Sequence, residues 1–404
     1  TNRSGRSATF SVVGARVNVA PGHVTSSLIS IRAGAAAYFC TVAGRRVASG
    51  ALRVRASSQP SPDHRIGVRE KNGSGEFYDR TTGAPFVPRG SNYVRLGRQR
   101  TASASVQEYH STFNVGSYDS AQAEAALTRM SADGYNVVRV FLSAICVDAC
   151  LGDPATGSVR VAYVANVADF LRRAKNHGIF VLLTSEWLPP NSRYSADLAS
   201  VRSDWFGNIN VMMLSPEGVE AERHLWTDLV LELRRQHAAT DTVFAYEIWN
   251  EACVVENEPP FKLAAGRVTT ANGSTYDMAS EVDRKRIIDD GFLFLIDQVR
   301  TAIRMVDPTA LVTMGFFHDT EPNPARRGDV RLVRTRAVVE RSAADFVDIH
   351  PYPGDEIGFA QLMQNYGIDG PVSKPIVIGE MGASRLAFGA NEDAAAALTD
   401  WQRA

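Results

Sequence analysis

The stretch Val243–Glu251, with the sequence VFAYEIWNE, decides the fold, because a mostly apolar run leads directly into an asparagine and a glutamate. A short apolar run of this kind is typical of a strand that is buried on both faces. A second run, Pro375–Glu380 (PIVIGE), also ends on a glutamate. Strands buried on both faces occur in parallel sheets covered by helices, so the sequence predicts an α/β fold.

The same pattern repeats along the chain, with short apolar runs alternating with segments whose apolar residues recur at helical spacing. The other five runs are Val87–Tyr93, Asn136–Leu142, Ile179–Thr184, Ala310–Gly315 and Phe346–His350. Successive β/α units predict a (β/α)8 TIM barrel, which needs eight strands. After Glu380 we find one loop and one helical stretch, Asn391–Ala404. We therefore expect the chain to be truncated before the eighth strand, with a gap between the first and the seventh.

Residues 1–65 differ from the rest of the chain, being rich in Ala, Ser, Arg and Val and ending in the linker-like run Ser57–Asp63. We expect a small β-rich or poorly ordered N-terminal extension here, with a carbohydrate-binding module as an alternative. Residues 66–404 are assigned to the barrel. This part begins with a predicted hairpin whose turn is Thr82-Gly83.

The composition excludes several classes of protein. Lys plus Arg number 43 and Asp plus Glu 44, so no net charge favours nucleic acid or an anionic membrane, and a neutral partner fits best. No run approaches the roughly 18 apolar residues of a membrane-spanning helix. Phosphate-binding glycine loops and serine-nucleophile motifs are absent from the sequence, so no cofactor is expected.

Cysteines and possible metal ligands are few. Cys146 and Cys150 are expected to be thiols, with a bridge inside one loop as the alternative. Asp348 and His350, followed by Asp355, come nearest to a metal-ligand set, but a third and fourth ligand do not complete it. We therefore expect no metal.

Two glutamates mark the candidate site, since Glu251 and Glu380 both follow the carboxyl ends of predicted strands, where the active face of such a barrel lies. An ionisable group at the end of a buried strand costs several kcal/mol unless it is paired or hydrated, which indicates a shared polar site. Paired carboxylates suit glycoside hydrolysis, with one protonated as acid and the other ionised. Glu247 ends no predicted strand and is interpreted as structural.

The strings Trp249-Asn250-Glu251 and Gly379-Glu380 resemble those of the retaining (β/α)8 glycoside hydrolases, most closely the cellulase-type family 5 of endoglucanases and mannanases. The resemblance covers residues 76–404. It implies that Glu251 is the general acid/base, that Glu380 is the nucleophile, and that Asn250 binds the sugar 2-hydroxyl.

Further matches extend the resemblance. Arg139 resembles the strand-two arginine that keeps the nucleophile ionised. The string DIHPY resembles the family's His-x-Tyr element, which implies that Tyr352 contacts the nucleophile and that His350 lines the sugar site. One position departs from the family: strand three ends in LTSEW rather than in a histidine, so the subfamily stays open. Glu186 in that string is either a third carboxylate of the site or a solvated loop charge.

Aromatic side chains near the mouth are expected to stack on sugar rings. The candidates are Trp187, Trp205, Phe317 and Tyr352, whereas Trp249 is expected to pack behind the catalytic pair. His318 either positions a substrate hydroxyl or has a loop role.

The resemblance implies a monomeric retaining hydrolase of a β-linked glucan or mannan, located outside the cytoplasm. The alternative is a non-catalytic carbohydrate-binding barrel, which would be expected to lose a carboxylate or Arg139, or else an inactive fragment of such an enzyme. An unrelated barrel enzyme with a phosphate-binding loop seven is a further rival, but Met381–Arg385 (MGASR) is too weak a signal for one.

Overall fold

The computed structural model describes residues 8–12, 15–19, 34–42, 45–54, 63–101, 103, 105–317, 329–353, 358–383 and 388–403. The chain divides into two compact units, residues 1–61 and 62–404. The first unit contains an antiparallel sheet in the order β2-β1-β3-β4. Its strands are β1 (Ala8–Val12), β2 (Ala15–Val19), β3 (Gly34–Val42) and β4 (Arg45–Val54).

The second unit alternates strands and helices. Its strands are β5 (Ile66–Lys71), β6 (Ser74–Asp79), β7 (Pro85–Phe86), β8 (Gly90–Asn92), β9 (Leu96–Arg100), β10 (Val106–His110), β11 (Val137–Leu142), β12 (Gly152–Asp153), β13 (Ser158–Val159), β14 (Phe180–Ser185), β15 (Val243–Glu247), β16 (Val254–Val255), β17 (Arg267–Thr269), β18 (Thr275–Asp277), β19 (Val312–Thr313), β20 (Gly315–Phe316), β21 (Arg331–Leu332), β22 (Val347–Ile349) and β23 (Ile376–Ile378). Its α-helices are α1 (Ser120–Ala132), α2 (Val161–Asn176), α3 (Arg193–Ala196), α4 (Ile209–Leu214), α5 (Pro216–Arg235), α6 (Glu281–Val306), α7 (Arg336–Arg341), α8 (Phe359–Tyr366) and α9 (Asn391–Arg403). The described part of this unit also has two short 3-10 turns, Asp197–Ser200 and Thr240–Thr242.

A parallel sheet runs through this unit in chain order. One part has the order β19-β15-β14-β11-β8, and the other has the order β20-β22-β23. Only Met314 separates β19 from β20, so together they form the fifth of the seven successive parallel strands in the described residues, each of which overlaps one of the predicted runs. Helices follow the strands, and the apolar faces of α2, α5 and α6 are buried against the core, as their helical spacing predicts.

The sheet is strongly curved, because side chains from strands far apart in its order touch one another. Arg139 of β11 contacts Asn92 at the end of β8, Glu247 of β15 and Glu380 after β23. The Asn92 side-chain amide also donates to the Gly379 carbonyl at 3.2 Å. In a flat sheet with about 4.8 Å between strands these ends could not meet, so the arrangement is of the barrel type. Among the described residues, β8 and β23 share no backbone hydrogen bond.

The amino-terminal end of this curved sheet is covered by the β5–β6–β7 hairpins. The turn at Gly83 was predicted, and its φ of 73° suits a residue without a Cβ. Phe77 of β6 packs its ring on Phe244 and Phe346, with centroids 5.1 and 5.2 Å apart. Burying each of these rings contributes about 1.5–3 kcal/mol, so the hairpins form part of the barrel core.

The cysteine prediction was wrong for one pair. Cys146 and Cys150 form a disulfide, with their Cα atoms 5.5 Å apart. The loop after β11 turns back on itself, with the Leu151 amide donating to the Ser143 carbonyl at 3.0 Å, and this brings the two cysteines together. Cys253 is buried and is not part of this disulfide. Within the described part of the chain, no helix is long and apolar enough to span a bilayer.

Candidate active site

Glu251 stands just beyond β15 with a backbone φ of 49°, a left-handed conformation that is uncommon for a residue with a side chain. Such a conformation costs of order 1–3 kcal/mol and persists only where its surroundings impose it. Here the neighbouring amides are tied to adjacent strands: Asn250 N–H donates to the Ser185 carbonyl at 2.7 Å, and Ala252 N–H to the Gly315 carbonyl at 2.8 Å. These hydrogen bonds fix the backbone on both sides of Glu251 and therefore the point from which its side chain extends.

Glu380 follows β23 and is held by two donors. Arg139 Nη1 donates to its Oε1 at 2.5 Å, and the Tyr352 hydroxyl donates to its Oε2 at 2.6 Å. Burial alone would raise the pKa of Glu380, but the charges of His350 and Arg139 and these two hydrogen bonds outweigh it, so the pKa lies below its ordinary value. The carboxylate is thus kept ionised.

Arg139 is buried, and its guanidinium donates to four side chains, those of Asn92, Glu247, Asn250 and Glu380. Its Nε and Nη2 both donate to Glu247 at 2.7 Å, and Nη2 also donates to Asn250 Oδ1 at 2.6 Å. Burial opposes the charge of Arg139, but the carboxylates of Glu247 and Glu380 raise its pKa above the ordinary value. The interpretation of Glu247 needs a correction: it is the last residue of β15, fully buried, and it supports the arginine that holds Glu380.

His350 lies between the two predicted catalytic carboxylates. Its Nδ1 is 3.4 Å from Glu251 Oε1 and 4.0 Å from Glu380 Oε1. Burial would lower the pKa of His350, but the hydrogen bond to Glu251 and the surrounding carboxylates raise it. Asp348, also fully buried, has both oxygens without a hydrogen-bond partner among the described residues, and burial raises its pKa. Asp355 lies outside the described residues.

Two sets of side chains are close enough to share a bound cation. In Glu251, His350 and Glu380 one ligand atom of each lies within 4.8 Å of the others, and the same holds for Glu247, Asp348 and His350. For the two predicted catalytic glutamates, the same fact sets an upper limit on the distance between their nearest oxygens. A carboxylate oxygen of Glu251 lies within 4.8 Å of one of Glu380. One group can therefore give a proton while the other attacks the same small centre.

Glu186 lies inside the site rather than on a solvated loop. Its Oε1 accepts from Asn250 Nδ2 at 2.9 Å, its Oε2 accepts from the Tyr109 hydroxyl, and His110 Nδ1 is 3.9 Å from Oε1. Burial raises the pKa of Glu186 to about 7. Sequence reasoning missed Tyr109 and His110, whose sole signal was two aromatic side chains in the otherwise polar stretch after Ser105.

Trp187 lies beside a cavity of about 270 Å³ and is 36% exposed. Trp249 is buried behind it, with the two rings edge to face at 5.8 Å, as predicted for a residue that packs behind the pair. Trp205 does not line this cavity, and the Arg202 guanidinium lies 4.4 Å from its ring.

The other predicted contacts differ in their surroundings. Phe317 is 8% exposed and covered by the Arg331 guanidinium at 4.4 Å, so it presents no open stacking face. Tyr352 takes part through its hydroxyl. His318 lies outside the described residues.

No family model matches the chain, and no curated protein matches its sequence. Among solved structures, an endo-1,4-β-D-mannanase from Thermotoga petrophila has a TM-score of 0.50 at 15% identity, covering 79% of this chain and 84% of that chain.

Two other solved structures are similar. An exo-β-1,4-mannosidase from an Opitutaceae bacterium has a TM-score of 0.49 at 17% identity, covering 82% of this chain and 52% of that chain. A glycoside hydrolase family 5 mannosidase from Rhizomucor miehei has a TM-score of 0.48 at 14% identity, covering 82% and 76%. This chain spans about half the length of the exo-mannosidase. At 15% identity the likeness to the Thermotoga petrophila enzyme shows the fold alone.

Proposed function

We propose that this protein is a retaining β-glycoside hydrolase in which Glu251 is the general acid/base and Glu380 the nucleophile. One observation carries the proposal: the two carboxylates approach within 4.8 Å while Arg139 and Tyr352 both donate to Glu380. This gives the pair unequal environments, which is how two chemically identical groups take different roles.

The spacing favours retention over inversion. Retaining glycosidases have carboxyl groups about 5–5.5 Å apart, whereas inverting enzymes leave about 6.5–9.5 Å for a water molecule between them. The nearest oxygens of Glu251 and Glu380 lie within 4.8 Å of each other, which supports the shorter, retaining spacing.

The reaction proceeds in two displacements. Glu251 gives its proton to the glycosidic oxygen while Glu380 attacks the anomeric carbon, so the C–O bond to the leaving group breaks and a glycosyl ester forms. Glu251, now ionised, takes a proton from water, whose oxygen attacks the same carbon and releases Glu380. Arg139 and Tyr352 stabilise the Glu380 carboxylate before the first step and after the second.

The substrate that we propose is a β-linked glucan or mannan, since the motifs around Glu251 and Glu380 resemble those of family 5. The Thermotoga petrophila enzyme, named for mannan hydrolysis, shares the fold. The disulfide Cys146–Cys150 supports a location in an oxidising compartment outside the cytoplasm.

Hydrolysis of β-mannan, β-glucans, xylan and aryl β-glycosides by the purified chain tests this function. We expect activity on at least one β-glucan or mannan, with the β-anomer as the first product seen by proton NMR. An initial α-anomer would contradict retention, and a folded protein inactive on every substrate would contradict the function itself.

A further inference from the structure

The cavity beside Glu251 lies on one side of the catalytic pair. Its lining includes Glu186, Trp187 and Glu251, whereas Glu380 and Arg139 do not line it. In a double displacement the acid faces the glycosidic oxygen and the nucleophile faces the opposite side of the anomeric carbon. A cavity that adjoins the acid alone therefore lies on the side of the leaving group.

Glu186 is oriented in this cavity as a hydrogen-bond acceptor. Because a guanidinium only donates, Arg139 must face Asn250 Oδ1, which turns the Asn250 amide nitrogen toward Glu186 Oε1 at 2.9 Å. The Tyr109 hydroxyl donates to Oε2. Each oxygen of a carboxylate has a second lone pair, so two donors leave Glu186 with acceptor capacity directed at the cavity.

We propose that Glu186 is a specificity-determining residue, which accepts a hydrogen bond from a hydroxyl group of the leaving-group sugar. This inference rests on the proposed function. It states which group the site recognises on the leaving-group side of the scissile bond. The neighbouring Trp187 ring, 36% exposed, offers an apolar face for the same sugar. The chemical class selected is a neutral, hydroxyl-bearing sugar rather than an alkyl or aryl group.

The position of Glu186 depends on a second element. Tyr109 belongs to β10, which pairs with β9 and brings the hydroxyl to Glu186 from a loop insertion between β8 and α1. Tyr109 is thus a positioning residue: it holds the carboxylate that meets the sugar without itself being needed for bond cleavage.

Three substrates with one common glycone separate this role from others: a β-linked disaccharide, the methyl β-glycoside and the nitrophenyl β-glycoside. The disaccharide and the methyl glycoside both need protonation of the leaving group, but only the disaccharide brings hydroxyl groups to the cavity. Above about pH 7, where Glu186 of the wild type is ionised, kcat/KM of Glu186→Gln for the disaccharide should fall about tenfold to a hundredfold relative to the methyl glycoside, the usual range for a lost hydrogen bond to a charged group. Gln retains an acceptor for Asn250. Glu256→Gln, an exposed carboxylate on the same chain segment as Glu251, is the matched control.

Tyr109→Phe should lower the same ratio by a smaller factor, since it loosens Glu186 and keeps its charge. Equal losses on the disaccharide and the methyl glycoside would overturn the inference, because they would place Glu186 in support of proton transfer. An unchanged ratio in Glu186→Gln would also overturn it. If the wild type hydrolyses none of the three, the proposed function itself fails, and this outcome differs from a wild type that is active but insensitive to Glu186.

Discussion

At the scale of single residues, Glu251 and Glu380 differ in their surroundings. Glu380 receives a guanidinium and a phenol, whereas Glu251 faces His350 and is 30% exposed on its side chain. A cation and a hydrogen-bond donor favour the ionised form of a carboxyl group. The two glutamates differ in their hydrogen-bond and ion-pair partners. A substitution of one of these partners should therefore alter catalysis, as a substitution of a glutamate should.

The two glutamates should respond differently to mutation, because only the nucleophile forms a covalent bond. We expect Glu380→Gln to abolish turnover of every substrate. Glu251→Ala should spare aryl glycosides whose leaving group needs no protonation, and azide should restore its activity by attacking the glycosyl-enzyme. Steady-state kinetics on activated and unactivated aryl glycosides, with and without azide, measure this. Equal losses on both kinds of substrate would remove the acid/base role from Glu251.

Arg139 should matter for stability and for catalysis by separable routes. Arg139→Met leaves Glu247 buried without its partner, which typically costs about 3–5 kcal/mol of unfolding free energy. It also removes the cation from Glu380, so we expect kcat/KM to fall at least a hundredfold. Urea unfolding and steady-state kinetics measure the two effects.

The double variant Arg139→Met/Glu247→Met separates these routes. Replacing both members of a buried ion pair by apolar residues is often neutral for stability, so the unfolding free energy should return toward that of the wild type. Activity should stay low, because Glu380 still lacks its cation. If activity returned together with stability, Arg139 would be a structural residue only.

The sequence could predict the residues that end strands, because the period of the apolar runs locates the active edge of the sheet. Glu251 and Glu380 were found in this way, whereas Arg139 and Tyr352 came from the resemblance to the family, and the structure brings all four together. The contribution of Glu247 could not be predicted, since its role depends on a partner from another strand. The Phe317 ring is likewise covered by Arg331, which belongs to strand β21 further along the chain.

At the scale of elements, the hairpin of β9 and β10 depends on the disulfide-bonded loop after β11. Thr101 forms a backbone bridge with Cys146, and Val147 N–H donates to the Arg100 carbonyl at 3.2 Å. The Arg100 guanidinium also pairs with both oxygens of Asp148, at 2.8 and 2.9 Å. The hairpin that carries Tyr109 is therefore held in place by contacts with a loop that the disulfide closes.

Cys150→Ser should therefore weaken the hairpin as well as the loop. For a closed loop with a sequence separation of 4, the chain-entropy relation gives about 2 kcal/mol of stabilisation. We expect a lower melting temperature and a lower ratio of kcat/KM for the disaccharide over the methyl glycoside. Dithiothreitol should reproduce both effects in the wild type and add nothing in the variant; a further loss in the variant would point to a cause other than this disulfide.

Helix α5 carries a buried carboxyl group that gives stability a pH dependence. Glu222 is 2% exposed, its Oε2 has no partner among the described residues, and burial raises its pKa to about 8 from 4.5. A raised carboxyl pKa means that the folded chain binds the proton more tightly than the unfolded chain. The stability from this group is therefore fully present below about pH 4.5 and lost as pH rises through 8.

Glu222→Gln should remove this loss. Relative to the wild type, its unfolding free energy should rise between pH 5 and pH 8 by at most about 1.4 kcal/mol per pH unit, measured by urea unfolding. Asp297→Asn, an exposed carboxylate on the adjacent helix α6, should show no such pH-dependent gain. Parallel curves for Glu222→Gln and the wild type would show that the carboxyl group is solvated in solution.

At the scale of the whole molecule, residues 62–404 contain the interactions that close the amino-terminal end of the curved sheet. His64 is fully buried, with Nε2 2.7 Å from Asp307 Oδ2 and Nδ1 2.9 Å from the Val243 carbonyl. The Tyr246 hydroxyl donates to the same Asp307 oxygen at 3.0 Å. Sequence reasoning began the barrel at Ile66 and so left out this histidine, since nothing near it in the chain indicates a partner in the loop after α6.

Two truncations test how the barrel unit is closed. A chain that starts at Pro62 should keep the unfolding free energy and the kcat/KM of the full chain, because residues 1–61 form a separate compact unit. A chain that starts at Gly67 loses His64 and Ile66, which leaves Asp307 and the Val243 carbonyl without their hydrogen bonds to the buried histidine. Losing that hydrogen bonding and the apolar burial should cost about 2–5 kcal/mol. Urea unfolding of both chains, with kinetics on one aryl glycoside, measures the difference. Equal stability of the two truncated chains would show that the His64 contacts contribute nothing, and a destabilised chain starting at Pro62 would show that the first unit supports the second.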